Sequence, residues 1–152
     1  MRELKAIAEE LIRRQRMDVR YGEGELTIAI DGEDIAVSAD EFDRIVFCAE
    51  VSKNLGRDLR KAAVASLAFN DEFSLDRAVA LGVSPEADCA ILARGVEMEN
   101  VNGAWLLNEC KSFRAELANA RSFFRDFVAN ARGPAAEESL SLQGSGDGYF
   151  RA

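Results

Sequence analysis

The residues best able to do chemistry here are carboxylates, thiols and glycine-rich turns, and none has the spacing that a reaction needs. Asp40-Glu41 and Glu137-Glu138 are adjacent acid pairs. Acid–base catalysis or magnesium binding asks for two carboxylates in different environments across a cleft, whereas neighbours in a turn or a polar tail are both solvated. Asp31-Gly32 lacks the regularly spaced oxygen ligands of a calcium loop. Cys48, Cys89 and Cys110 lie far apart with no C-x-x-C pair, so they read as reduced core residues and not as a disulfide framework or a zinc site. Gly22-Glu23-Gly24 precedes a strand pattern, and Gly144-Ser145-Gly146-Asp147-Gly148 has no helix after it, so neither can aim a helix terminus at a phosphate. The sequence has no histidine, which removes the commonest general base near neutral pH and the commonest metal ligand. The expectation is a protein that is not an enzyme, with no cofactor and no metal.

Charge narrows the partners. Among 152 residues, 19 Lys and Arg face 27 Asp and Glu, for a net charge of -8. Nucleic acid binding needs a basic stripe to replace counterions along the phosphates, and none is present. Arg13, Arg14 and Arg16 sit at a predicted helix end, where cations complement the helix dipole. Apolar runs such as Cys89-Ala90-Ile91-Leu92-Ala93 fall far short of the roughly 18 residues that span a bilayer, so no membrane insertion is expected. The amino terminus carries Glu9 and Glu10 within an amphipathic pattern and not an unbroken apolar signal core. With three unpaired cysteines, the expected location is the cytoplasm.

The hydrophobic pattern supplies the elements. Leu4, Ile7, Ala8, Leu11 and Ile12 recur at helical steps over 2–16. After the break at Tyr21-Gly22-Glu23-Gly24, Leu26, Ile28 and Ile30 alternate as a strand, Asp31-Gly32 offers a tight hairpin turn, and Ile35 and Val37 resume the alternation. Phe42 to Val51 reads as a central strand buried on both sides. Asn54 to Asn70 is helical, with Leu55, Leu59, Ala62, Ala63, Ser66, Leu67 and Asn70 along one side. Two further strands, 77–83 and 88–96, flank the turn Ser84-Pro85-Glu86. After Asn102-Gly103 no proline or glycine occurs until Gly133, and Leu106, Cys110, Phe113, Leu117, Ala120, Phe124, Phe127 and Ala131 mark a long terminal helix. Residues 1–132 form the expected domain. Residues 133–152, rich in Ser, Gly and Glu, read as a flexible C-terminal tail.

This inventory carries more apolar surface than one helix layer can cover. A sheet has two faces, and helices on one of them leave the other in need of a partner. Each additional buried Leu, Ile or Phe contributes roughly 1.5–3 kcal/mol, so a patch of a few such residues can drive dimerisation or capture of another chain. Against this stands the simpler possibility that every stripe is core of a monomer.

The order helix, three antiparallel strands, helix, two strands, long helix resembles the class I type III secretion chaperones, the Tir-chaperone or CesT-like family. The resemblance covers 2–132 and rests on four segments: Leu4-x-x-Ile7-Ala8-x-x-Leu11, the Leu26-Thr27-Ile28-Ala29-Ile30-Asp31-Gly32 hairpin, the helix from Leu59 to Ala68-Phe69-Asn70, and the Leu117 to Phe127 stripe. The tail after Gly133 departs from the family's abrupt end. The resemblance implies an α+β fold with a twisted, mainly antiparallel sheet, working as a homodimer. Its function would be to hold the extended amino-terminal chaperone-binding segment of a secreted effector soluble and secretion-competent in the bacterial cytoplasm. It implies effector contacts at Leu4, Ile7, Leu11, Ile28, Ile30, Ile35 and Val37, and a dimer interface at Leu59, Ala63, Leu67, Val79, Leu81 and Ile91. It also admits the secretion ATPase or sorting apparatus as a further partner. An adaptor or regulator of the secretion system with the same fold, binding another protein in place of an effector, is the alternative.

Overall fold

The computed structural model describes residues 2–42, 44–97 and 101–130. Its elements are α1 (Arg2–Gln15), β1 (Val19–Gly22), β2 (Glu25–Ile30), β3 (Glu33–Ala39), β4 (Arg44–Lys53), a 3-10 turn (Gly56–Asp58), α2 (Leu59–Arg77), β5 (Val79–Ser84), β6 (Cys89–Glu97) and α3 (Gly103–Asn130). The strands form one six-stranded sheet in the order β1-β2-β3-β4-β6-β5, antiparallel throughout. The expected α+β class and antiparallel sheet are present, with one strand more than the periodicity indicated.

Local chemistry sets each reversal. Two-residue turns at Glu23-Gly24 and Asp31-Gly32 take left-handed conformations at both positions, with φ of 54° and 86° in the first and 50° and 81° in the second. This is the geometry that suits the twist of paired strands. Asp40 folds the β3–β4 connection by accepting the backbone N–H of Phe42 and of Arg44, both at 2.9 Å. Its second oxygen pairs with the Arg44 guanidinium at 2.7 Å. Those donors hold the Asp40 carboxyl below its usual pKa, the Arg44 backbone N–H contributing most. Asn102 opens α3 by accepting the N–H of Trp105 at 2.9 Å, the N-cap role.

The strands alternate in burial, apart from a register shift in β4 between Glu50 and Ser52 and the adjacent buried pair Cys89-Ala90 at the start of β6. Leu26, Ile28, Ile30, Ile35, Val37, Ile45, Phe47, Ala49, Ala90 and Leu92 are buried on one face, against which α1 and α3 pack. α1 contributes Leu4, Ile7, Ala8 and Leu11. α3 contributes Leu106, Cys110, Phe113, Leu117, Ala120 and Phe124, the first six members of the expected stripe. At about 1.5 Å per residue α3 runs roughly 42 Å, and it packs chiefly on the central strands β4 and β6. Gly103 lets α1 close on its start, since a Cβ there would lie 3.1 Å from Leu11 Cδ2.

Three differences from the sequence reading have physical causes. β1 was missed because only Val19 of its four residues is buried, so an edge strand shows no alternation. α2 begins at Leu59 and runs on to Arg77, seven residues beyond Asn70. It passes directly into β5 through Ala78, whose φ of 52° reverses the chain without the glycine or proline that would announce it. The buried side of α2 is Ala62, Ala65, Ser66 and Phe69, whereas Ala63 and Leu67 face outward. Small apolar residues surround this helix, so spacing alone does not select a face. The boundary at 132/133 and the tail lie outside the described residues.

Candidate protein-binding surface

The side of the sheet away from α1 and α3 is lined by small residues. Thr27 pairs with Ala36, Ala36 with Cys48, Cys48 with Ala93 and Ala93 with Ala80, a continuous row across five strands. Beside it, Glu50 pairs with Ile91 and Ile91 with Gly82. A shallow hollow of 310 Å³ on this side is lined by strand residues, including Thr27, Asp34, Ala36, Cys48, Glu50 and Ile91. Ile91 and Ala93 are half-buried, while Ala80 and Gly82 are exposed. The floor is flat and apolar with carboxylates at its margin, a surface suited to an extended chain or a second sheet more than to a small polar ligand.

The two sheet edges differ. On β5, Asn70 of α2 donates from Nδ2 to the Leu81 carbonyl at 2.9 Å and accepts the Leu81 N–H at 2.7 Å. That edge is occupied at its centre by a side-chain amide in the position of a neighbouring strand. On β1, the two-residue turn makes Gly22/Glu25 and Arg20/Thr27 the mutually bonded pairs, so the backbone groups of Val19 and Tyr21 point away from β2. Tyr21 is 37% exposed. This edge can accept an added strand.

Apolar side chains also remain outside. Val64 and Leu67 on α2 are 50% and 71% exposed, and Ala63 adjoins them. Ile12 on α1 and Phe42 in the β3–β4 turn are exposed as well, the latter with the Arg44 guanidinium 5.4 Å from its ring centroid.

None of the three cysteines is prepared as a nucleophile. Burial pushes all three thiols upward in pKa, Cys110 to about 12, the reverse of what an activated cysteine requires. Among the described residues no group of three or more Cys, Asp or Glu side chains is placed to hold a metal ion, and no helix is long and apolar enough to cross a membrane.

The sequence matches no protein-family model and no curated protein. Solved structures do match. One is a chain of the HopA1–SchA chaperone–effector complex, at TM-score 0.53 and 15% identity, covering 78% of this chain and 93% of that one. Another comes from the structure of the Yersinia pestis type III secretion chaperone SycH in complex with a stable fragment of YscM2. It matches at TM-score 0.51 and 14% identity, covering 76% of this chain and 97% of the other. This chain has the class I type III secretion chaperone fold. A looser likeness, TM-score 0.41 and 14% identity over 84% of this chain and 90% of the other, is to YbjN from E. coli.

Within this secretion-chaperone fold, the residues expected at the two interfaces separate by exposure. Leu4, Ile7, Leu11, Ile28, Ile30, Ile35 and Val37 are each 9% exposed or less and point into the subunit's own core. The outer surfaces of α1, β2 and β3 are formed by their other residues. Of the expected dimer residues, Val79 and Leu81 are also core. Leu59 and Ile91 are half-buried, and Ala63 and Leu67 are exposed. The sequence reading chose the greasiest positions, and those are the ones a subunit uses first for itself. It missed the edge-sealing role of Asn70, although a polar residue in line with the helix's apolar positions was a signal that it had a fixed partner.

Proposed function

We propose that this chain is a type III secretion chaperone that binds the extended amino-terminal segment of an effector in the bacterial cytoplasm and keeps it soluble and unfolded for export. The observation that carries the reading is the side of the sheet that no described helix covers together with the β1 edge, which no described strand pairs. An added strand at Val19–Gly22 would take its affinity from main-chain hydrogen bonds. Side chains laid along the Thr27–Ala36–Cys48–Ala93 row would supply apolar burial. An extended client gives up ordering free energy on binding and so needs a wide surface, but it stays ready to thread a narrow channel. Binding of this kind uses no nucleotide and no metal.

The working unit in this reading is a homodimer joined through the outward face of α2. Ala63, Val64 and Leu67 there have no role in the subunit's core, and exposed apolar residues on one helix face are the common mark of an association surface. The net charge of -8 would keep the loaded complex soluble and disfavour acidic partners.

The test is affinity capture of the tagged full chain from bacteria with an active secretion system, followed by mass spectrometry and reconstitution with the amino-terminal segment of each secreted protein found. The expected result is a complex of two chaperone chains with one segment, in which the segment keeps the narrow amide dispersion of an unfolded chain. A stoichiometric complex only with a folded regulator or another chaperone would replace this reading with the adaptor one.

A further inference from the structure

One edge of the sheet is sealed and the other is not. Asn70 closes the centre of β5, whereas β1 has no proline, its register with β2 runs without a shift, and no described strand pairs with its outer side. An edge without such devices templates pairing with another chain unless something covers it. Its bonding phase is fixed from inside the sheet. The Ala29 N–H donates to the Asp18 carbonyl at 3.0 Å, so Asp18, Arg20 and Gly22 turn their backbone groups to β2, and Val19 and Tyr21 turn theirs outward. A strand added to β1 therefore bonds at Val19 and Tyr21.

The side chains of this edge complement those of their own copy. Asp18 and Arg20 are exposed and lie on the side of the sheet away from the helices. In an antiparallel pair of β1 strands with Val19 on the two-fold axis, Asp18 falls opposite Arg20 of the second copy, and Arg20 opposite that copy's Asp18. Both are non-hydrogen-bonded positions, where facing side chains come closest. Moving the axis to Arg20 sets arginine against arginine, so charge selects the first register. Apolar cover is available on the helix side, where Tyr21 is 37% exposed and Ile12 of α1 is 48% exposed. A Cβ on Gly103 at the start of α3 would lie 3.5 Å from the Glu10 carboxyl carbon, and Ile12 follows Glu10 by roughly 200° of helical turn. Ile12 thus faces away from α3, toward the β1 edge over which α1 packs. We propose that two copies of this chain pair through their β1 edges, antiparallel about Val19, with Asp18 against Arg20 in both directions. The contact is separate from the one proposed for α2 and weaker, since few residues of each chain take part. It seals the second edge as Asn70 seals the first. It also covers the stretch at which the proposed client strand would add, so client and second copy compete for one edge.

The experiment is sedimentation velocity of the full chain carrying Leu67→Asp, which removes the α2 contribution, over a concentration series reaching about 1 mM. A folded monomer is expected at low concentration and a growing dimer fraction on concentrating, with the amide resonances of Val19 and Tyr21 shifting in step. Added to this chain, Arg20→Asp alone and Asp18→Arg alone are each expected to weaken the dimer on the order of tenfold, because like charges then face one another. Both side chains are exposed, so the subunit's core is not disturbed. An equimolar mixture of the two variants is expected to regain the dimer, since one chain then offers two carboxylates and the other two guanidinium groups. The single chain with Asp18→Arg and Arg20→Asp together is expected to regain it as well. A chain that stays monomeric throughout the series would overturn the proposal, as would a dimer indifferent to both reversals or a mixture that stays apart. Each of those results leaves the client reading standing, because capture of an effector segment does not need two copies joined at β1.

Discussion

Asn70 presents its side-chain amide to the backbone of Leu81 as a neighbouring strand would, accepting the Leu81 N–H at 2.7 Å and donating to the Leu81 carbonyl at 2.9 Å. The bonds tie α2 to the last strand of the sheet and close that edge to other chains. Edge strands need such protection, because unpaired backbone groups template aggregation. Asn70→Ala removes both bonds and leaves a partly buried N–H and C=O without partners, at about 1–3 kcal/mol. Urea unfolding should show that loss, and the variant should aggregate faster than the parent at matched fraction folded. Unchanged stability would mean that water replaces the amide without cost.

Arg94 is a buried cation held by several groups. It pairs with Glu109, donates to the Glu109 carbonyl and to Ser112 Oγ, each at 3.2 Å, and lies 5.5 Å from the Phe47 ring centroid. Truncating one partner strands the other charge, whereas replacing both with apolar residues does not. Glu109→Ala should cost about 2 kcal/mol, less than the ~3–5 kcal/mol of a fully buried pair because Glu109 is partly exposed. Arg94→Met with Glu109→Leu should recover most of it. A double variant less stable than the single one would assign the pair a net stabilising role.

The sequence made some of this plain and concealed the rest for identifiable reasons. α3 was legible because Leu106 through Phe124 keep one register over many turns, and the β2–β3 hairpin because Asp31-Gly32 dictates its turn. β1 was hidden by its single buried residue. On the candidate surface the row Thr27–Ala36–Cys48–Ala93–Ala80 exists only once register is set, since its members come from five strands and are unremarkable singly. Exposure of Leu67 against burial of Leu4 is likewise a property of the packed subunit, because both read as apolar helix positions in the sequence.

That distinction predicts opposite outcomes for two charge substitutions. Leu4 and Ile7 are 2% and 6% exposed, so Leu4→Asp with Ile7→Asp would bury unpaired carboxylates under the sheet. The variant should lose most of its stability, several kcal/mol in all, and circular dichroism should show it largely unfolded at 37 °C. A folded variant that merely lost client binding would return α1's inner residues to the client surface.

Leu67 is 71% exposed, so Leu67→Asp should leave the subunit's fold intact, within ±0.5 kcal/mol of its intrinsic stability. If α2 joins two copies, this variant should sediment as a folded monomer under conditions in which the parent is a dimer. A parent that sediments as a monomer at all concentrations, or a Leu67→Asp variant that stays dimeric, would remove α2 from the interface.

Cys110 provides a test in alkaline solution. The thiol sits fully buried on the inner stripe of α3, and burial raises its pKa from 9.0 to about 12. The unfolded chain therefore releases this proton first as pH rises, so between about 9 and 12 the unfolded state binds fewer protons than the folded one and stability falls with increasing pH. Below 9 the contribution is fully present. Cys110→Ala deletes the sulfur and should lower stability at pH 7 by about 1 kcal/mol through lost packing. It should also flatten the decline between pH 9 and 12, while Cys48→Ala leaves more of that decline in place. Urea unfolding of the three chains at pH 7, 9 and 10.5 separates the two effects. An equally steep alkaline loss in Cys110→Ala would assign the titration to other groups.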